Sequence, residues 1–191
     1  ELAHDPVGSP LSPYPNLQEL VWSGSRLSQN VPFEWVQLTA LSVLTVIADS
    51  VDPGFQFPPN LTWMKLMISR PSFDNAMLAP LTRLEYLKIS TPSTPLDLSG
   101  LVSLTWLQTD NEISHIPTSL VECTVRLGND FDFSGHTNLT SLEVKPMGDI
   151  NLTVPLQLKT LHVNTSYGRI VSSNLSEPGL ELPHDFRFYE I

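Results

Sequence analysis

Cysteine is nearly absent from this chain. Its 191 residues include only Cys123, so no internal disulfide framework can staple the fold. That scarcity fits a cytosolic protein, and equally a secreted one whose core needs no staples. Charge is sparse at 16 %, and the basic kind is the scarcer, with ten Lys and Arg against twenty Asp and Glu. The net charge of -10 repels phosphate backbones, which sets nucleic acid aside as a partner. Nine glycines against seventeen prolines suit many short, stiff connections better than long helices. No apolar run approaches the roughly 18–20 residues that a membrane-spanning helix requires.

Catalytic signatures are missing as well. The chain has no G-x-S-x-G, H-E-x-x-H, P-loop or dinucleotide fingerprint. Its five histidines (His4, His115, His136, His162, His184) are scattered and form no pair at metal-ligand spacing. Asp130 and Asp132 in Gly-Asn-Asp-Phe-Asp resemble part of a calcium loop, but the required glycine and later glutamate are absent, so a solvated turn is expected. We expect no catalysis, no cofactor and no bound metal.

What is present is a repeat. The pattern L-x-x-L-x-L recurs as Leu17-Leu20-Trp22, Leu41-Leu44-Val46, Leu61-Met64-Leu66, Leu84-Leu87-Ile89, Leu104-Leu107-Thr109, Leu120-Cys123-Val125, Leu139-Leu142-Val144 and Leu158-Leu161-Val163. A degenerate copy, Pro183-Phe186-Phe188, follows. The last two apolar positions of each copy lie two apart and so share one face of a short strand. No such unit buries its apolar side alone, so successive strands must stack in parallel. Connections of two styles precede the strands. One carries Asp-x-Ser-Gly, as at Asp97 and Asp132; the other places Pro58, Pro117 or Pro155 three residues before the first leucine position. These connections leave no room for full helices, and at most one or two short helical turns are expected, best near residues 74–81.

With this spacing the chain resembles the leucine-rich-repeat superfamily over roughly residues 15–166, and weakly beyond. The resemblance implies a curved, right-handed, mostly β solenoid. A parallel sheet would line its concave side, short 3₁₀ or irregular segments its convex side, and the concave side would bind another macromolecule. We read residues 1–14 as an irregular N-terminal cap and 15–191 as a solenoid of about eight to nine repeats. The family's usual asparagine, three residues after the last strand position, is replaced by Ser25, Asp49, Ser69, Pro92, Glu112, Gly128, Met147 and Ser166. An asparagine ladder is therefore not expected, and neither are flanking cysteine caps.

Reading one outward column across the repeats gives Glu19, Val43, Trp63, Tyr86, Trp106, Glu122, Ser141 and Thr160; the third gives Ser23, Ile47, Met67, Ser90, Asp110, Arg126, Lys145 and Asn164. Trp63, Tyr86 and Trp106 thus form an aromatic ladder, flanked in the column between by Lys65 and Lys88, with Val43, Ile47 and Met67 extending its apolar edge. Such a row serves a protein or glycan ligand, or it packs laterally as cross-strand pairs do. Cys123 occupies a leucine position and reads as a small buried hydrophobe.

Five N-x-S/T sequons, at Asn60, Asn138, Asn151, Asn164 and Asn174, exceed the roughly two that chance would give, and point to a secreted, extracellular glycoprotein. Those at 60 and 138 fall where the repeat itself favours asparagine, and Asn164 either carries sugar at one end of the sheet or begins a turn. Glu1 is read as a trimmed start. The apolar finish Phe186, Phe188, Tyr189 and Ile191 is shielded by its charged neighbours, marks lost repeats, or forms an edge for end-to-end assembly into a fibre or coat.

Overall fold

Alternation at period two makes each repeat a strand, and the strands stack into a solenoid. The computed structural model describes residues 14–28, 35–92, 95–164, 166, 168–173 and 187–189. Their strands are β1 (Glu19–Leu27), β2 (Val43–Val51), β3 (Trp63–Ile68), β4 (Tyr86–Ser90), β5 (Leu96–Asp97), β6 (Trp106–His115), β7 (Glu122–Leu127), β8 (Phe131–Asp132), β9 (Ser141–Pro146), β10 (Asp149–Thr153), β11 (Thr160–Asn164), β12 (Arg169–Ser173) and β13 (Arg187–Tyr189). A long sheet runs β1-β2-β3-β4-β6-β7-β9-β11-β13, and every pairing in it is parallel. A smaller parallel sheet has the order β8-β10-β12.

The pattern in β3 shows why the sequence folds this way: Met64, Leu66 and Ile68 face inward and are buried, while Trp63, Lys65 and Met67 face out. Stacking repeats the arrangement. Leu44, Met64, Leu87, Leu107, Cys123, Leu142 and Leu161 make one interior column, each no more than 2 % exposed. Burying a leucine this fully stabilises by about 1.5–3 kcal/mol, so the columns carry the solenoid. Near the N-terminal repeats the interior is filled by aromatics, with Trp22, Trp35, Phe55 and Phe57 meeting edge to face at 5.0–5.9 Å between neighbouring rings. The prolines expected to end connecting segments, Pro58, Pro117 and Pro155, are all buried. Among the described residues, helix is confined to two one-turn 3₁₀ segments, Trp35–Gln37 and Asn75–Met77. The second lies where a short helical turn was expected, and the Asp74 side chain caps it by accepting from the Ala76 N–H at 2.9 Å.

Two features depart from a plain stack. The ten-residue β6 pairs with β4 as far as Thr109, with β7 as far as Glu112, and with β5 at Ile113 and His115. Its register with β7 shifts between Gln108 and Glu112, so Arg126 lies opposite Glu112 and not opposite Asp110. That corrects the third outward column at one position, because the bend consumes extra residues of β6.

The second departure is a buried asparagine. One residue before the position that lacks it, Asn111 ties β6 to the end of β4: its Oδ1 accepts from the Thr91 N–H at 2.9 Å, and its Nδ2 donates to the Thr91 carbonyl and, at 3.0 Å, to Thr91 Oγ1. The 1–14 cap lies outside the described residues except for Tyr14.

Candidate functional site

Parallel strands in register lie about 4.8 Å apart, so equivalent side chains of successive repeats are forced side by side. Trp63, Tyr86 and Trp106 are paired across β3, β4 and β6 in this way. Their rings stack face to face, Trp63 on Tyr86 at 4.9 Å and 10° and Tyr86 on Trp106 at 4.0 Å and 7°. All three remain half-buried. Tyr86 has both ring faces covered, and this burial raises its hydroxyl pKa above the ordinary value. The ladder therefore satisfies lateral packing and presents ring edges outward. Next to it, Lys65 and Lys88 are direct cross-strand neighbours. Ile47 and Met67, also paired, are 43 % and 39 % exposed and form the apolar border; Val43 is half-buried beside Trp63.

The charges on this face are distributed unevenly. Lys145 pairs with Asp110 at 3.3 Å and approaches Glu143 at 3.8 Å. Among the described residues no carboxylate reaches Lys65, Lys88 or Arg126; the ion pairs formed by Lys and Arg there use Arg26, Lys145 and Arg169. Arg126 is a notable case, because Glu112 stands opposite it in the register. The Glu112 carboxylate instead occupies the space above Gly128, where a Cβ would lie 2.4 Å from its Oε1. Arg126 Nε is left buried with no hydrogen-bond partner. Arg126 borders an open depression of about 430 Å³ lined also by Ile47, Met67, Thr91, Pro92 and Asp110.

The sequon asparagines serve the backbone. Asn60 Nδ2 donates to the Thr39 carbonyl at 2.9 Å and Asn138 Nδ2 to the Thr118 carbonyl at 3.3 Å, each reaching the preceding turn. Asn151 donates to Asp130 through both its N–H and its Nδ2, each at 2.7 Å. Asn164 Oδ1 accepts from the Ser166 N–H and hydroxyl, a local turn, while its backbone pairs with Tyr189. Asn174, Phe186 and Ile191 lie outside the described residues; Phe188 and Tyr189 are placed only as backbone of β13.

Cys123 is buried in the core column, and burial pushes its thiol pKa well up. Asp132 accepts from the Ser134 N–H at 2.8 Å, so it and Asp130 build turns and inter-turn ties. Among the described residues no cluster of His, Cys, Asp and Glu is placed to hold a metal ion. No helix there is long and apolar enough to cross a membrane.

Sequence reasoning did not find three of these features: the Asn111 tie, the stranded Arg126, and the contact between Gly148 and Gly168. A Cβ on Gly168 would lie 2.4 Å from the Gly148 backbone N and O. A signal existed for two of them. Thr91 and Asn111 are twenty residues apart, and Gly128, Gly148 and Gly168 repeat at twenty.

Neither a family model nor a curated protein matches this chain. Its function is therefore argued from the geometry of the long sheet.

Proposed function

We propose that this chain is a recognition module of leucine-rich-repeat type, secreted or displayed at a cell surface and N-glycosylated. It binds a protein partner through the outward face of the long sheet. The observation that carries the reading is the row of Trp63, Tyr86 and Trp106 held half-exposed on a rigid sheet, with two lysines and an apolar border beside it. Rings that stability alone required would be equally well served inside. Aromatic anchors on a rigid scaffold lose little entropy on binding and are enriched at binding hot spots. A glycan is the weaker candidate ligand, because sugars stack on open ring faces and those of Tyr86 are covered.

Glycosylation is compatible with the ties made by Asn60, Asn138 and Asn151. Attachment replaces one of the two hydrogens on Nδ2 and leaves the other to donate.

Affinity capture from the natural source, with the full chain as bait, tests the module. A protein retained by the unaltered chain and lost from Trp63→Ala/Trp106→Ala supports it. Identical capture by both baits refutes the ladder as the site. Enzymatic removal of N-linked glycans from the source protein tests the sugar: an unchanged mass after treatment removes the secretion argument.

A second reading, end-to-end assembly, rests on β1, the nine-residue strand that ends the long sheet among the described residues. A strand there offers backbone groups to another chain. A weight-average mass from light scattering that rises with concentration supports it, and a monomer mass at all concentrations removes it.

A further inference from the structure

We propose that the outward face of β3, β4, β6 and β7 takes an acidic, extended segment of a partner protein, its carboxylates bridging Lys65 with Lys88 and reaching Arg126. This deepens the reading of the long sheet as a recognition face and rests on it.

Like charges directly opposite each other on neighbouring strands are destabilising, and Lys65 and Lys88 stand in that relation. The chain has twenty carboxylates against ten Lys and Arg, yet among the described residues none is placed against these two lysines. Arg126 repeats the anomaly more sharply. Its Nε is buried without an acceptor, a costly arrangement for a charged donor, although a glutamate lies opposite in the register. Glu112 is turned away onto Gly128, whose missing side chain makes room for it. Three cations on one face of an acidic protein are thus left to be neutralised from outside.

Their spacing selects the shape of the ligand. Lys88 on β4 and Arg126 on β7 are separated by two strand intervals and two residues along the strand, roughly 12 Å in all. An extended chain covers that distance in about four residues. Ile47, Met67 and Pro92 line the depression beside Arg126 and accommodate an apolar side chain flanking the acids. The covered faces of Tyr86 argue against an acidic polysaccharide.

The test selects random phage-displayed dodecapeptides on the immobilised full chain. The enriched peptides are then measured by fluorescence anisotropy on the unaltered chain, on Lys65→Ser/Lys88→Ser, on Arg126→Gln, on Trp63→Ala/Trp106→Ala, and on the control Lys159→Ser. Heparin serves as a second probe, and urea midpoints establish that each variant folds. We expect Asp- and Glu-rich peptides whose affinity falls at least about tenfold in both cation variants, falls with salt, and is unchanged in the control. Peptides without acidic enrichment that fail only on the tryptophan variant overturn the acidic segment and leave the recognition face standing. No enrichment, or peptides indifferent to every variant, overturns both. Heparin binding through these cations, without peptide binding, overturns the proposal in favour of a polysaccharide.

Discussion

Replacing Asn111 by alanine removes the tie between β4 and β6 at the corner where β6 leaves the long sheet. Asn111 and Thr91 are 6 % and 5 % exposed, so the bonds between them form away from water. The substitution takes from the Thr91 N–H its 2.9 Å acceptor and from the Thr91 carbonyl its side-chain donor. A buried backbone group that loses a partner costs about 1–3 kcal/mol, so two such groups set a range of roughly 2–6 kcal/mol. The depression lined by Thr91 and Asn111 opens to solvent, and water entering the vacated volume lowers the cost toward the bottom of that range. We therefore expect about 2–3 kcal/mol, seen in urea unfolding as a lower midpoint at unchanged slope.

Because each repeat of a solenoid touches only its neighbours, hydrogen exchange should speed up in β4 and β6 more than in β1 or β11. Asn111→Asp should be worse still at neutral pH, since it keeps an acceptor, loses the donor and buries a charge. A loss below about 0.5 kcal/mol for Asn111→Ala, with uniform exchange, would refute the assignment of this residue as a structural tie.

The glycines give a graded series. Gly168→Ala drives a Cβ to 2.4 Å from the Gly148 backbone, which cannot swing aside, so a loss of about 1–3 kcal/mol is expected. Gly128→Ala meets only the end of the flexible Glu112 side chain and should cost less, while Gly100→Ala meets nothing within 4 Å and should be near neutral. Any other order in urea midpoints contradicts the packing described.

Asp52 and Asp97 are held below the ordinary carboxylate value of 3.8 chiefly by the Ser28 and Ser99 hydroxyls, Asp132 by the Ser134 N–H, and Asp130 and Asp149 by the Asn151 and Arg169 side chains. Depressed folded-state values stabilise the fold above the unfolded-state pKa, and that contribution disappears as pH falls through them. Melting temperature should hold near neutrality and drop below about pH 4, with a shallower acid loss in Asp52→Asn. A profile flat to pH 2 would count against these bonds. Buried Cys123, its thiol pKa raised, should ignore a thiol reagent in the folded protein and react once urea unfolds it; rapid native labelling would place it elsewhere.

The repeat was legible because parallel stacking turns a period along the chain into adjacency in space. Writing the eight copies under one another puts Trp63 beside Tyr86 and Lys65 beside Lys88, the register that the strands adopt. The short helical turn near Asp74 followed from the same periodicity, since the return segment is too brief for more. The interior columns needed only alternation, with Cys123 and Thr109 standing in for leucine and for larger apolar residues.

Other features required the folded chain. The second sheet, β8-β10-β12, depends on where each return segment bends, and start-to-start spacings of about 16 to 24 residues do not say where that is. The shift between Gln108 and Glu112 is of this kind, and so is its consequence that Arg126 faces a glutamate pointed elsewhere. Sequence alone determined which residues line up on the outward face, the bend of β6 excepted, because strand period and repeat period are both local properties of the chain. Tertiary structure decided which of those residues satisfy one another, because side-chain pairing depends on bends and close approaches between segments some twenty residues apart. The aromatic ladder belongs to the first kind of knowledge, and the unneutralised cations beside it to the second.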